Sequence, residues 1–390
     1  MSTAASIPDA LSIVRAFGAI CFAGAVFGGV FTLIELAFVL RFPRAKPDAR
    51  CSAEPAVTIL KPLNDAEPGL ETRLAAFCRQ DYAAPVQVLC GAQDQAAAAD
   101  AMRAVERQAP SAPIELVVDQ RHHGVNRKVS NLINMLPRAR YDTLVLSDSD
   151  IVVEPDYLRG VVALLAPPGV GAVTCLYYGV AGKGLWTRLS ALAINTQFLP
   201  HATAAIGLKL AKPCCGATIA LRQSMLERIG GFAAFAGVLA DDYAIGAAVR
   251  STGAEVVAAP FLVGHCCFEA SLRQLVLHQL RIARTIRSID PIGHAGSILT
   301  HSWPLALLAA ALSGAPAAAL LAIAILATRV ALCRCVERRF GLPRQDYWLI
   351  PVQDLLAFAA YLGSFLRATV HWQGFDYRVA PDGTLIEDNT

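Results

Sequence analysis

Two aspartates directly after a short apolar run are the residues of this chain best suited to chemistry. Thr143–Leu146 predict a buried strand, and Asp148 and Asp150 follow it at once. Residues two apart in an extended chain project to the same side, and paired carboxylates repel unless a cation lies between them. We predict a Mg²⁺ or Mn²⁺ site at Asp148 and Asp150 that bridges to a substrate diphosphate. From the residues alone, the alternative is two surface acids after a strand.

Alternating strands and helices precede this acidic motif. Apolar runs predict strands at 57–60, 86–90 and 114–119, and helical patterns predict helices at 68–80, 95–108 and 128–136. The alternation predicts an α/β domain with a mixed, mostly parallel sheet covered by helices on both faces. Since ligands of such sheets collect at the carboxyl ends of the strands, the acidic motif lies where a site is expected.

The N-terminal segment has the composition of a membrane span. Of the 390 residues 55% are hydrophobic and 17% charged, and the mean hydropathy is +0.46, which is too apolar for an ordinary soluble enzyme. Residues 16–40 contain Glu35 as their single charge and are long enough to cross a bilayer. A cleaved signal peptide is the alternative, but basic residues follow instead of a small-residue cleavage site. The same basic residues predict a cytoplasmic central domain.

The C-terminal third returns to the membrane. Residues 305–332 and 348–366 each carry one charge, Arg329 and Asp354, and the arginine-rich loop between them favours the cytoplasmic side. We predict one N-terminal span and two or three C-terminal spans, with a turn at 313–316, in a multi-pass protein of the inner membrane. The predicted units are a transmembrane helix at 1–42, a linker at 43–56, the α/β domain at 57–270, a basic amphipathic interfacial helix at 271–297, transmembrane segments at 298–370 and a cytoplasmic tail at 371–390.

Cysteine spacing and charge exclude two other classes of protein. The eleven cysteines do not form a pair of Cys-x-x-Cys motifs with zinc spacing, so we predict that most are reduced and buried. The net charge is +3, and no basic stripe is interleaved with aromatic residues, so nucleic acid is not an expected partner. The oligomeric state is not indicated by the sequence.

Short motifs in a fixed order carry a family resemblance. They are Ile59-Leu-Lys-Pro-Leu63, residues 88–94, Asn126-Arg-Lys-Val-Ser-Asn131, Ser147-Asp-Ser-Asp150 and Ala240-Asp-Asp-Tyr243. With this set the chain resembles the ceramide glucosyltransferase family, and within it the bacterial hopanoid-biosynthesis glycosyltransferases. The resemblance covers roughly residues 57 to 300. It implies a GT-A type nucleotide-sugar-binding domain, a UDP-sugar donor and inversion at the anomeric carbon.

The resemblance also implies roles for single residues. Asp94 corresponds to an aspartate at the nucleotide, and Asp148 and Asp150 correspond to the pair that contacts the metal and the diphosphate. Asp242 corresponds to the proposed base. Further candidates for nucleotide-sugar binding are Lys61, Asn126, Lys128 and His278. For the two lysines, a solvated side chain beside a strand is the alternative.

The acidic doublet Asp241-Asp242 precedes a segment that predicts a helix. Sugar transfer with inversion needs a carboxylate within hydrogen-bond reach of the acceptor hydroxyl, because that hydroxyl loses its proton as it attacks. Carboxylates are also favoured at the positive end of a helix, so a simple N-cap is the alternative for either residue. We predict that Asp242 is the base and that Asp241 is the N-cap.

A basic helical segment provides the group for the departing UDP. Members of the family carry Gln/Arg-x-x-Arg-Trp at this place, and this chain has His278-Gln-Leu-Arg281-Ile282. We predict that Arg281 stabilises the charge that develops on the leaving diphosphate. Ile282 lacks the aromatic ring of the family motif, so the motif does not indicate the identity of the acceptor. The alternative for this segment is a basic helix on anionic lipid. The stretch from Trp186 to Pro200 predicts an acceptor-side lip at the bilayer surface, and ordinary core packing is the alternative for each of its residues.

Together these features predict a membrane-bound inverting glycosyltransferase. It would move a hexose, glucose or N-acetylglucosamine, from a UDP-sugar to a hydroxyl of a membrane lipid, ceramide or a hopanoid polyol. A processive polysaccharide synthase shares the sugar-nucleotide half, but it carries Gln-x-x-Arg-Trp and more spans. A non-catalytic membrane scaffold with a degenerate transferase domain need not retain the acids, and all of them are present here.

Overall fold

One eight-stranded sheet forms the centre of the globular domain. The computed structural model describes residues 10–43, 54–63, 67–366, 369–372, 375–379 and 384–387. The strands of this sheet are β1 (Val57–Pro62), β2 (Val86–Ala92), β3 (Ile114–Val118), β4 (Thr143–Leu146), β5 (Ile151–Val152), β6 (Val170–Ala181), β7 (Ile219–Arg222) and β8 (Glu255–Cys267). Their spatial order is β3-β2-β1-β4-β7-β6-β8-β5.

The sheet is mixed and mostly parallel, as predicted. Parallel pairs join β1 to β2 and β4, β2 to β3, and β6 to β8. Antiparallel pairs join β7 to β4 and β6, and β5 to β8. The predicted strands at 57–60, 86–90, 114–119 and 143–146 are confirmed as β1 to β4, whereas β5 to β8 were not predicted.

Helices cover the sheet and extend beyond it. They are α1 (Ala10–Arg41), α2 (Leu70–Cys78), α3 (Gln95–Gln108), α4 (Arg127–Met135), α5 (Tyr157–Leu165), α6 (Leu185–Ala193), α7 (Leu199–Gly207), α8 (Gln223–Arg228), α9 (Asp241–Ser251), α10 (Leu272–Ile289), α11 (Pro291–Gly296), α12 (Ser302–Ser313), α13 (Pro316–Phe340) and α14 (Ile350–Ser364). The three predicted helices of the domain are confirmed as α2, α3 and α4.

Each face of the sheet has its own apolar core, because side chains alternate along every strand. Ile59 packs on one face with Phe77 of α2 and Leu158 of α5. Leu60 packs on the other face with Leu132 of α4 and Ile245 of α9. Both faces of the sheet are therefore covered. The carboxyl ends of the parallel strands β1, β2 and β4 lie together at one uncovered end of the sheet.

Within the described ranges, two helices, α1 and α13, are long and apolar enough to cross a membrane. Residues 291–300 and α12 form a bent pair with an angle of 62° between them, and this pair would be a third span if it is counted as one segment. Helix α14 has 15 residues, which is shorter than the roughly 20 residues that cross a bilayer. The predicted turn at 313–316 is present: Gly314, with φ of 62°, ends α12, and Pro316 begins α13.

The segments on either side of the spans are described in part. Most of the predicted linker, residues 44–53, lies outside the described residues. The predicted interfacial segment contains α10, whose N-cap Ser271 accepts from the amide of Gln274 at 3.2 Å, followed by α11. The tail forms a three-stranded antiparallel sheet of β9 (Thr369–Trp372), β10 (Phe375–Val379) and β11 (Leu385–Glu387).

Candidate active site

The acidic motif forms the turn between β4 and β5 at the carboxyl end of the parallel strands. Each of its aspartates faces a cationic group. Asp148 Oδ1 lies 2.7 Å from Lys128 Nζ, and Asp150 Oδ2 lies 3.2 Å from His265 Nε2. Both carboxylates line one large cleft. The sequence prediction that they lie at the sheet edge is consistent with this arrangement.

Side chains behind the turn fix its backbone. Arg73 donates from Nε to the carbonyl oxygen of Ser149 at 2.8 Å, and Glu67 accepts from Ser149 Oγ at 2.6 Å. Glu67 and Arg73 form an ion pair of 2.7 Å with each other. Lys61 donates to the carbonyl oxygen of Asp148 and lies over the ring of Phe77. Arg73, Glu67 and Lys61 therefore fix the turn from the side opposite the cleft. The carboxylates of the turn line the cleft.

His265 reaches the acidic motif through strand pairing. In the antiparallel pair of β5 and β8, Ile151 faces His265, and the amide of Cys266 donates to the carbonyl oxygen of Asp150 at 2.9 Å. This register brings the imidazole beside Asp150. His265 was not predicted as a site residue, because in the sequence it is only a histidine near the end of an apolar run.

The electrostatics of the motif separate the two aspartates. Burial raises the pKa of Asp148 to about 6 although Lys128 opposes the shift. Burial is the largest single cause at Asp150 and acts in the same direction, but His265, Lys61 and Lys128 together outweigh it and lower the pKa of that carboxyl to about 2. Lys61, which is fully buried, has its pKa lowered by burial to about 8. The site thus holds one firmly ionised carboxylate and one whose charge depends on its neighbours.

The donor set at the turn fits a divalent cation. Among the described residues, Oδ1 of Asp150 and Nδ1 of His265 are buried and have no hydrogen-bond partner. Carboxylate oxygens are the ligands that Mg²⁺ and Mn²⁺ prefer, whereas protonated His265 balances the charge of Asp150 and is not itself a ligand. In the described part of the chain, no three histidine, cysteine or acidic side chains converge as a closed ligand cluster. The turn can therefore supply part of a coordination shell and leave positions for a diphosphate.

The second acidic pair begins α9. Asp241 Oδ2 lies 3.2 Å from Lys128 Nζ, so this lysine bridges the two acidic pairs. The N-cap of α9 is Ala240 and makes no side-chain cap bond, so the predicted cap role of Asp241 is wrong. Its carboxylate instead neutralises Lys128. Asp242 lines the cleft and accepts from the amide of Gly216 at 2.9 Å. Burial and the charge of Asp241 raise the pKa of Asp242.

Gly216 lies where the two acidic pairs meet. A Cβ on this residue would lie 2.8 Å from Oδ2 of Asp148 and 3.0 Å from Nζ of Lys128. Gly216→Ala should therefore displace both side-chain ends by some tenths of an ångström and lower turnover roughly tenfold, because the reacting groups must be held in close alignment. Steady-state kinetics would measure the effect. Gly296→Ala, at a glycine with open space around it, is the control. Equal kinetics for both variants would contradict this geometry.

Two predicted site residues lie behind the cleft. Asn126 is buried and caps α4: its Oδ1 accepts from the amide of Val129 at 3.0 Å, and its Nδ2 donates to the carbonyl oxygen of Val238 at 2.8 Å. Lys61 is buried beneath the acidic turn. Both side chains therefore support the site in this structure, and their direct contact with a nucleotide stays a prediction.

The remaining predicted residues line one cleft of about 1030 Å³. They are Asp94, Lys128, Asp148, Asp150, Asp242, His278 and Arg281. Asp94 lies on the side of β2 and α3, where His122 and Arg127 also line the cleft. Residues far apart in the chain are thus brought together at the carboxyl end of the sheet.

Helix α10 closes the other end of the cleft. His278 Nδ1 lies 2.5 Å from Oε1 of Glu269, which orients the imidazole. Arg281 lines the cleft and forms no ion pair within 4 Å among the described residues. Burial lowers its pKa, while Tyr177 and the cleft carboxylates act in the opposite direction. The guanidinium is therefore available to an anionic ligand. Ile282, at the position of the missing tryptophan, also lines the cleft.

Comparison with known proteins identifies the family. Residues 20–385 match Glycosyl transferase family 21. The chain belongs to this family. Ceramide glucosyltransferase 1 of Caenorhabditis elegans is 24% identical over 245 residues, which cover 61% of this chain and 51% of that protein. Ceramide glucosyltransferase 3 of the same organism is 22% identical over 205 residues, which cover 52% of this chain and 44% of that protein. The chain spans about half the length of these curated relatives, and the predicted resemblance to ceramide glucosyltransferases is confirmed.

A solved structure supports the fold of this family 21 protein. The mannosyltransferase PcManGT from Pyrobaculum calidifontis, determined in complex with GDP-Man and Mn²⁺, superimposes with a TM-score of 0.54 and 22% identity. The match covers 90% of this chain and 99% of that one. The predicted GT-A fold is therefore confirmed.

Several residues of this family 21 site were not found from the sequence. Besides His265 they are Glu67, Tyr177 and Gly216. Tyr177 lies on β6 with its ring between those of Phe198, at 4.3 Å between centroids, and His265, at 5.2 Å. An aromatic residue in an apolar strand is typical of a core, so its position in the cleft has no separate signal in the sequence.

Proposed function

We propose that this protein is a membrane-bound inverting transferase that moves a hexose from a UDP-sugar to a hydroxyl of a membrane lipid. The observation that supports this proposal is that the cleft joins a polar end to an apolar end. Its polar end contains the aspartates at the sheet edge, and its other end is lined by Ile282, Ile286 and Phe198. Phe198 packs against a cluster that includes Val39 of α1 and Leu332 of α13. The cleft therefore extends from the nucleotide-binding edge of a GT-A sheet to the membrane helices.

The donor would lie at the polar end. Asp94 would contact the nucleotide, and Asp148 and Asp150 would hold Mg²⁺ or Mn²⁺ with His265 beside them. When bound, the ion would neutralise charge on the diphosphate. Lys128, already shared by Asp148 and Asp241, would add a positive charge near the phosphates.

The transfer step needs one base and one cation from the protein. Asp242 would take the proton of the acceptor hydroxyl while its oxygen forms a bond to the anomeric carbon. The bond from that carbon to the UDP oxygen would break on the opposite face, so the anomeric configuration would invert. Arg281 would stabilise the charge left on the diphosphate. The raised pKa of Asp242 strengthens it as a base near neutral pH.

The positions of the basic helix ends support a cytoplasmic domain. Helix α1 ends at Arg41, and α13 ends with Arg338 and Arg339. Arg339 donates to the carbonyl oxygen of Phe42, so these two basic ends meet on one side of the helix bundle. By the positive-inside rule, that side is cytoplasmic. We propose an inner-membrane, multi-pass protein with its catalytic domain in the cytoplasm.

Metal dependence provides a prediction for the donor end. Asp150→Ala should weaken Mn²⁺-dependent UDP binding by roughly tenfold to a hundredfold, because one remaining carboxylate cannot hold an ion that bridges to a diphosphate. Isothermal titration with UDP, with Mn²⁺ and then with EDTA, would measure it. Asp142→Ala, which changes an exposed aspartate at the other end of β4, is the matched control. Metal-independent UDP binding in the wild type would contradict the prediction.

The function itself is tested with the full chain in lipid nanodiscs. UDP-glucose and UDP-N-acetylglucosamine are each supplied with ceramide or a hopanoid polyol, and UDP release and lipid mass are followed. The names of the curated relatives support glucose and ceramide as the first pair to test. Addition of one hexose per lipid is expected. A ladder of longer products would indicate a processive synthase, and no lipid-dependent UDP release would indicate a scaffold.

A further inference from the structure

One irregular helical turn links the membrane helices to the cleft. Residues Ile194–Phe198, between α6 and α7, form a π-helical turn. Such single turns recur at functional sites. Pro200 follows and has no amide hydrogen, so the carbonyl oxygen of Thr196 lacks the donor that a regular α-helix would provide. The turn therefore needs partners from other elements.

Three consecutive residues of the turn find those partners on three different elements. Asn195 holds the backbone of Gly179 on β6 through two hydrogen bonds of 2.8 and 3.0 Å. The carbonyl oxygen of Thr196 accepts from Nη1 of Arg329 on α13 at 2.7 Å. Gln197 donates from Nε2 to Oδ1 of Asp354 on α14 at 3.2 Å. The turn is thus fixed to the sheet, to the candidate membrane span α13 and to the shorter helix α14.

Arg329 and Asp354 are the two charges that interrupt the apolar C-terminal segments. They form a two-point ion pair, with Nε to Oδ2 at 3.1 Å and Nη2 to Oδ1 at 2.7 Å. Both are about 4% exposed. Burying two charges costs several kcal/mol per ion, and apolar replacements of such pairs are often as stable. Charged groups among membrane helices are therefore a sign of function, and the chemistry proposed above does not use this pair.

The next residue after these anchors is Phe198, whose ring lines the cleft. It stacks on Tyr177 with an interplanar angle of 20°. Tyr177 interacts electrostatically with Arg281, the neighbour of Ile282 on α10. Ile282 and Ile286 are 43% and 48% exposed although they line the same cleft. Large apolar side chains exposed inside a cleft indicate an apolar ligand.

We propose that Phe198, Ile282 and Ile286 form the subsite for the apolar part of the lipid acceptor, and that the Arg329–Asp354 pair positions Phe198 through the π-helical turn. This inference rests on the proposed function and deepens it. The subsite places the apolar body of the lipid toward the bundle, so its hydroxyl can reach Asp242. The ion pair is a positioning device and contacts neither the donor nor the reacting atoms.

Phe198→Ala tests the subsite. In nanodiscs that contain whichever of ceramide or a hopanoid polyol the wild type glycosylates, the KM for the lipid should rise about tenfold or more, as for loss of apolar contact in a binding pocket. The KM for the UDP-sugar should change much less. Phe358→Ala, which removes an aromatic ring of α14 outside the cleft, is the matched control. An unchanged lipid KM in a correctly inserted Phe198→Ala protein would overturn the subsite.

Two further variants test the positioning device without leaving a buried charge unpaired. Gln197→Met removes one link between the turn and α14. The double variant Arg329→Met with Asp354→Leu replaces the whole pair by apolar side chains. Both should raise the lipid KM severalfold while kcat at saturating lipid stays close to the wild type. If Phe198→Ala raises the lipid KM but neither of these does, the positioning role is overturned. If the wild type glycosylates neither lipid, the proposed function fails instead.

Discussion

Asp242→Asn is expected to reduce transfer at least about a hundredfold while UDP-sugar binding remains. Asparagine has almost the same shape and can keep the hydrogen bond from the amide of Gly216. It cannot take the acceptor proton. The loss should therefore fall on kcat, with little change in the KM for the donor, in steady-state assays at saturating lipid.

Asp241→Asn is the matched comparison for this variant. Asp241 pairs with Lys128 and is almost fully buried, so its change should disturb the charge balance of the site without removing the base. We expect a smaller loss of kcat than for Asp242→Asn. A dead Asp241→Asn beside a nearly wild-type Asp242→Asn would reverse the two roles.

The pH profile gives a second readout of the same base. A base must be deprotonated to act, so kcat should rise with pH as Asp242 loses its proton. Because burial and Asp241 raise the pKa of Asp242, this rise should lie above the range of an ordinary aspartate. The rise should be absent from the residual activity of Asp242→Asn. An identical profile in the variant would assign the titration to another group.

Arg281→Ala is the second large effect that we expect. Loss of one preorganised donor to the leaving diphosphate should cost about 2–4 kcal/mol, or about 30-fold to 1,000-fold in kcat. Arg281 is a cleft-lining guanidinium without an ion pair among the described residues, so its positive charge is available to the diphosphate. The loss should be similar for every lipid acceptor that the wild type uses.

Arg273→Ala on the same helix is the control for this effect. Arg273 is exposed near the start of α10 and does not line the cleft. Its removal keeps the helix and tests the contribution of surface charge alone. If Arg281→Ala and Arg273→Ala lowered kcat equally, the role of Arg281 in leaving-group stabilisation would be contradicted.

The half of the fold that repeats a local pattern could be predicted from the sequence. Strands β1 to β4 are apolar runs separated by helices with clear periodicity, and their neighbours in the sheet follow from that alternation. The later strands break the pattern. Strand β7 is antiparallel between β4 and β6, and β5 has two residues. Their pairings join segments that are distant in the chain, so no local period indicates them.

The sequence could predict which residues have side chains suited to the chemistry of the site. It could not predict how deeply each side chain is buried. Asp148, Asp150, Asp242 and Arg281 line one cleft, as their spacing and family resemblance suggested. Lys61 lies in a motif at the same sheet edge, yet its side chain is buried beneath the acidic turn. A sequence pattern indicates the edge of the sheet at which a residue lies. It does not indicate whether the side chain lines the cleft or is buried beneath it.

Long-range partners account for the other differences. Asp241 looked like an N-cap because it precedes a helix, but the ammonium of Lys128 lies close enough to hold its carboxylate. His265 reaches Asp150 through the register of β5 and β8. Arg329 and Asp354 appeared as isolated charges in two apolar segments, and they are partners in the folded protein. Each of these contacts depends on tertiary packing that no local window of sequence contains.

The anomeric configuration of the product tests the central claim most directly. The full chain in nanodiscs is supplied with an α-linked UDP-hexose, Mn²⁺ and a lipid alcohol, and the glycolipid is isolated and examined by proton NMR. A single displacement with Asp242 as base predicts one β-linked hexose per lipid, and a product that is lost in Asp242→Asn. An α-linked product, or a β-linked product formed equally well by Asp242→Asn, would contradict the proposed mechanism.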